Sequence, residues 1–221
     1  MRMWPRRVAA VSFSATVIAA SGLGAAPAYA QSAPEGEPAW LGELVSECPD
    51  LYVLGMQGTT ETSPDAPVKV DTGMLANIMG PMLDQARELG ASIDRAYVPY
   101  PGSFGGLTPG GTESYVESVT AGEENLSLAA QRVLEQCPSA KLAVVGFSQG
   151  AHAASNFLRS VGTGTGAVPA SAIAAGALFG TPTRSPGSGL FPGTSQSAPS
   201  PVPGTSGEAV TSLASVAFTA P

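Results

Sequence analysis

Apolar residues in this chain fall into short unbroken runs that alternate with stretches where they recur every three or four positions. The runs at 50–55 (Asp-Leu-Tyr-Val-Leu-Gly), 93–98, 142–145 and 171–179 have the length and continuity of strands buried on both faces. Between the first two, Met74, Leu75, Ile78, Met79, Met82, Leu83, Ala86 and Leu89 keep helical spacing, and Gly90 stops them. A helix over 71–89 is therefore predicted, kinked or split at Gly80-Pro81. Its methionines read as core filler rather than as chemistry. A second helix is predicted over 123–136, ending at Cys137-Pro138, and a third in the Ala-rich stretch after Ser148. Strands alternating with helices imply a parallel α/β sheet with right-handed crossovers.

The connections are distinct in composition. Residues 31–37 form a polar arm, 99–111 a Gly/Pro loop carrying Tyr100 and Phe104, and 162–166 a Gly/Thr turn. Residues 185–207 are Ser, Pro, Gly and Thr with Leu190 and Phe191 set among them, as expected of an irregular loop or linker. Residues 209–218 read equally as a short fifth strand or as a frayed end. There is no internal repeat, and neither G-x-G-x-x-G nor a P-loop points to a nucleotide.

The chemistry concentrates at 141–156. The apolar run 142–145 leads directly into Gly146-Phe147-Ser148-Gln149-Gly150, and an Ala-rich helix follows. This is the G-x-S-x-G nucleophile elbow in its strand–turn–helix setting. A serine on so cramped a turn needs bare neighbours, because a Cβ at either glycine would collide with the adjoining strand or helix. In a chain with 27 glycines the five-residue pattern is weak by itself. A Gly-rich loop between two packed elements is the alternative, and the flanking elements favour the elbow.

Composition bounds the setting. Residues 1–30 have the layout of a secretory signal: Arg2, Arg6 and Arg7, then an apolar stretch at 8–20, then Ala28-Tyr29-Ala30 as a cleavage site. General secretion fits better than a twin-arginine route. Removing this leader leaves 191 residues, enough for one domain with a real core. It also takes away three arginines and no acid, so seven basic and seventeen acidic side chains remain, a net charge of −10. That charge argues against nucleic acid and anionic membranes as partners. Cys48 and Cys137 are the only cysteines; in an exported chain such a pair reads as a disulfide, with two buried thiols as the alternative. One histidine and two distant cysteines do not make a zinc ligand set.

Several further motifs, taken with the elbow, resemble the cutinase family of secreted serine esterases, small lidless members of the α/β-hydrolase fold. They are Cys48-Pro49-Asp50, Gly58-Thr59-Thr60-Glu61, Tyr97-Val98-Pro99-Tyr100-Pro101, Cys137-Pro138 and Phe179-Gly180-Thr181-Pro182. The resemblance implies a three-layer α/β sandwich around a parallel sheet of flavodoxin-like strand order, with the fifth strand in doubt. It divides the chain into a signal peptide (1–30), an arm (31–47), a cutinase-like domain (48–184) and a Ser/Pro/Gly-rich carboxy-terminal segment (185–221). It implies a Cys48–Cys137 bridge and Ser148 as the nucleophile. The backbone N–H groups of Gln149 and Thr59 would form the oxyanion hole. Tyr100 and Phe104 would line the acyl site. The partner would be an ester or lipid substrate, with no cofactor, no metal and no nucleic acid, and the protein would be a monomer.

The triad departs from this pattern. The fold's chain order is Ser, acid, His, yet after Ser148 the only acid is Glu208 and the only histidine is His152. His152 lies one helical turn after Ser148, on a helix that carries its ring away from the side where a base must meet Oγ, so it reads as a packed or surface histidine. Two expectations follow. The chain is a carboxy-terminally truncated or frameshifted esterase, or it is a non-catalytic relative that binds lipid or wall components; the intact surroundings of Ser148 favour the first.

Overall fold

The computed structural model describes residues 36–106 and 111–183. The expected signal peptide, the Leu190–Phe191 pair, Glu208 and the ambiguous 209–218 segment all lie outside the described residues.

Four strands form one parallel sheet: β1 (Leu51–Met56), β2 (Ile93–Tyr97), β3 (Lys141–Phe147) and β4 (Ile173–Phe179), in the order β2-β1-β3-β4. This is the flavodoxin-like order, in which the first strand lies between the second and the third. Three helices connect the strands: α1 (Gly73–Glu88), α2 (Tyr115–Gln136) and α3 (Gln149–Gly162). The period-2 alternation of side chains sorts the core into two layers. Tyr52, Leu54, Leu142 and Val144 pack with Leu126 and Val133 of α2 and Phe157 of α3. Val53, Ala143 and Val145 face the other way, against Leu75 and Met79 of α1. The result is a three-layer α/β sandwich.

Three local expectations need correction. α1 is not split at Gly80-Pro81; it runs through Pro81 as one 16-residue helix. An interior proline costs about 3 kcal/mol. Burying Leu75, Met79 and Leu83 returns about 1.5–3 kcal/mol each, so packing outweighs the lost hydrogen bond. The methionine stripe on the same helix is only partly core: Met79 is fully buried, whereas Met74 and Ile78 are exposed. Finally, α2 begins at Tyr115, eight residues before the predicted start. Ser114 and Glu117 close a capping box there, each side chain bonded to the other's backbone N–H.

The bridge Cys48–Cys137 is formed, with its Cα atoms 5.3 Å apart. It joins the entry of β1 to the segment before β3, and these are neighbouring strands in register from Leu51↔Lys141 to Met56↔Gly146. The long connection between β1 and α1 is fixed by charge. Asp71 accepts from Arg95 Nε (2.9 Å), Arg95 Nη2 (2.6 Å) and the Tyr97 hydroxyl (2.7 Å). The Arg95 hydrogen bonds hold its carboxyl below the usual carboxylate range. Beside it, Lys69 bonds Asp94 (2.6 Å) and the Tyr52 hydroxyl (2.9 Å).

Candidate active site

Ser148 stands alone between two regular elements, after the last residue of β3 and before the first of α3. Its φ of 51° and ψ of −117° lie in a region that non-glycine residues rarely adopt. The surroundings enforce this geometry. The Ser148 N–H donates to the Phe179 carbonyl at the end of β4 (2.9 Å), and its carbonyl accepts from the His152 N–H (3.1 Å). A Cβ on Gly146 would stand 2.7 Å from the Ala151 Cα; one on Gly150 would stand 2.3 Å from the carbonyl oxygens of Met56 and Gln57. Helix α3 can therefore seat itself on the end of β1 only if both positions are bare. Ser148 itself is partly exposed at the carboxyl ends of the strands, where open α/β sheets bind ligands.

A second turn adjoins it. Residues 57–62 leave β1 beside the elbow, close enough that a Cβ on Gly58 would meet the Phe147 ring at 2.8 Å. Thr60 takes φ 66° and donates its N–H to the Gly102 carbonyl (2.9 Å). Glu61 braces the turn from both sides: Oε2 accepts the Gly58 N–H (2.9 Å) and Oε1 accepts the Met74 N–H in the first turn of α1 (3.0 Å). The carboxylate thus also sits at the positive end of that helix. Among the described residues the Thr59 N–H has no hydrogen-bond partner. The Gln149 N–H, at the first position of α3, has no carbonyl within its own helix to bond. Two backbone donors thus remain uncommitted on the two turns that flank Ser148.

A family model for cutinase matches residues 47–203. The chain belongs to the cutinase family. It is 28% identical over 165 residues to a carboxylesterase Culp6 homolog of Corynebacterium glutamicum, covering 73% of this chain and 50% of that one. It is 30% identical over 138 residues to a cutinase of Botryotinia fuckeliana, covering 61% of this chain and 58% of that one. The chain thus spans about half to three-fifths of these relatives' length. An acetyl xylan esterase structure shares the fold at a TM-score of 0.50 and 24% identity, covering 64% of this chain and 67% of that one.

The remaining expected site residues of this cutinase-family chain are placed unevenly. Tyr100 is fully buried, with its hydroxyl donating to the Gln57 carbonyl (2.5 Å). It supports the 57–62 turn from beneath and presents no surface to an acyl chain; burial pushes its pKa well up. Phe104 is only partly buried and stands edge-on to Tyr115, centroids 5.1 Å apart. His152 is 7% exposed, and its Nδ1 is 3.0 Å from the Tyr115 hydroxyl. Among the described residues no hydrogen bond joins the Ser148 hydroxyl to His152. Burial first, and then the charge of Arg159, lower the His152 pKa. Burial pushes the Tyr115 hydroxyl up to about 12.

Ser103, Tyr115 and Ser118 join this region without having been expected there, and Glu61 gains a role as a brace. Glu61 is the last residue of the Gly-Thr-Thr-Glu motif, at the spacing of a carboxylate that caps its own turn. Ser103 and Ser118 carry no sequence signal, because their partners are brought in only by the tertiary fold.

Proposed function

We propose that this chain is an exported carboxylic-ester hydrolase in which Ser148 is the nucleophile. The observation that carries the reading is the strained φ of Ser148 at a strand–helix turn whose two glycines cannot accept a Cβ. Fold stability alone does not call for a serine in that conformation. Ser148 Oγ attacks the ester carbonyl, and the negative charge that develops on the carbonyl oxygen is met by the N–H groups of Gln149 and Thr59. One preorganised donor of this type is worth about 10²–10³ in rate. The acyl chain lies beside Phe104. The signal-like leader and the Cys48–Cys137 bridge support an oxidising, extracellular location.

The serine proton needs an acceptor, and His152 does not supply it: it is packed against Tyr115, one turn along the same helix. Among the described residues no side chain bonds the Ser148 hydroxyl, so no base is in place there. With these groups alone the turnover should be slow, limited to the ~10³–10⁴-fold over water that an oxyanion hole and binding provide. The same observation favours a second reading, a non-catalytic relative that binds lipid or cell-wall components.

A panel of p-nitrophenyl esters of graded chain length, run on the chain and on Ser148→Ala, separates these readings. Slow turnover that disappears in Ser148→Ala is expected. No difference between the two proteins on any ester would favour the binding role. Fast turnover lost in Ser148→Ala would mean that a residue of this chain, His152 included, acts as an efficient base.

A further inference from the structure

Two side chains that touch no reacting atom, Gln149 and Ser118, close a ring beneath the elbow through the backbone of Ser103. Gln149 Nε2 donates to the Ser103 carbonyl (2.8 Å), the Ser103 N–H donates to Ser118 Oγ (3.1 Å), and the Ser118 hydroxyl donates to Gln149 Oε1 (3.0 Å). All three residues are buried, none more than 1% exposed. The ring spans three separate pieces of chain: the start of α3, the loop after β2, and α2. Ser103 is tied further along, its hydroxyl donating to the Glu113 carbonyl (2.7 Å), and Gly105 N–H bonds the same carbonyl (2.9 Å). A buried polar ring of this kind is costly when one member is missing, because each remaining group keeps its desolvation penalty.

We infer that the Gln149 side chain is a positioning residue, which locks the orientation of its own N–H beside Ser148 and the Phe104 wall into one rigid unit. The residue that follows the nucleophile needs only its backbone to stabilise an oxyanion. A long amide turned inward at that position, with both of its ends bonded, has a separate task. Ser103 immediately precedes Phe104, so the bond from Nε2 sets where that ring stands against Tyr115. This inference rests on Ser148 acting as the nucleophile, since otherwise there is no reacting group to position.

Gln149→Glu tests it through a pH profile. An ionised glutamate can accept from Ser118 but cannot donate to the Ser103 carbonyl, whereas a protonated one restores the ring. The ratio of variant to native Ser148-dependent kcat/KM for p-nitrophenyl butyrate, followed by chromatography of the released p-nitrophenol, should therefore rise as pH falls from 8 to 5. A rise of roughly tenfold is expected, the scale set by one hydrogen bond to a charged group. Glu61, Glu113, Tyr115 and His152, the titratable groups on the surrounding elements, are common to both proteins and cancel in the ratio. Gln149→Met should show a reduced ratio that stays flat with pH. A flat Gln149→Glu ratio at unchanged melting temperature would overturn the inference. If the native chain gives no Ser148-dependent turnover, the catalytic reading fails, and the clamp is judged by hydrogen exchange over residues 102–106. Faster exchange there in Gln149→Met supports the clamp; equal exchange in the two proteins overturns it.

Discussion

Gly150 lies so close to Gln57 that a methyl group on it would stand 2.3 Å from the Gln57 carbonyl oxygen. The elbow helix and the turn that holds Thr59 are thus in backbone contact, with no side chain between them to yield. Gly150→Ala should force them apart, destabilising the protein by about 3 kcal/mol or more and abolishing Ser148-dependent turnover. Gly162, at the other end of α3, has nothing within 4 Å of an added Cβ. Gly162→Ala should be neutral or stabilising by up to about 1 kcal/mol. Urea unfolding of both variants checks the contrast, and equal effects would contradict this packing.

Glu61 should matter to rate as well as to stability. Glu61→Gln replaces one of the two carboxylate oxygens that accept the Gly58 and Met74 N–H groups with an amide that cannot accept. A loss of about 1–2 kcal/mol of stability is expected, together with roughly a tenfold fall in kcat at little changed KM. Unchanged kcat would show that the 57–62 turn does not depend on this brace to present Thr59.

The buried His152 makes stability depend on pH in a definite direction. Its folded-state pKa is lowered, by burial and then by Arg159, so between that value and its ordinary value of about 6.5 the unfolded chain binds more protons. Its contribution is therefore fully present above about pH 6.5 and is lost as pH falls through the lowered value. Native protein should lose more stability between pH 7.5 and 5 than His152→Gln does. Parallel pH curves would show that His152 is not held in its neutral form.

The disulfide is expected to contribute heavily, because it closes a loop with a sequence separation of 89 residues. On the chain-entropy model, Cys137→Ser should cost about 4–5 kcal/mol. A loss below about 1 kcal/mol, read by urea unfolding, would show that the reduced chain already holds β1 and β3 together.

Much of this was legible in the sequence because it is local. Four apolar runs gave four strands, and the elbow announced itself through two glycines spaced around one serine. What was missed depended on tertiary partners or on competing terms. The capping box of Ser114 and Glu117 is present in the sequence, yet the expected helix starts only at residue 123, eight residues late. Pro81 promised a break that the buried face of α1 overrides. Tyr100 sits in a Gly/Pro loop and is expected to line the acyl site, yet its hydroxyl is needed inside, on the Gln57 carbonyl. The Gln149–Ser103–Ser118 ring joins residues 15 to 46 positions apart, and no spacing rule finds it.

The central claim is that the fold makes Ser148 a nucleophile. The most direct measurement is covalent: incubation with a p-nitrophenyl alkylphosphonate, whose tetrahedral adduct needs an exposed serine and an oxyanion hole, followed by peptide mapping by mass spectrometry. A single adduct on Ser148 is expected, formed slowly, absent from Ser148→Ala and lost when the chain is unfolded in urea. No adduct on Ser148 in the folded protein, or equal labelling of folded and unfolded chain, would contradict the claim.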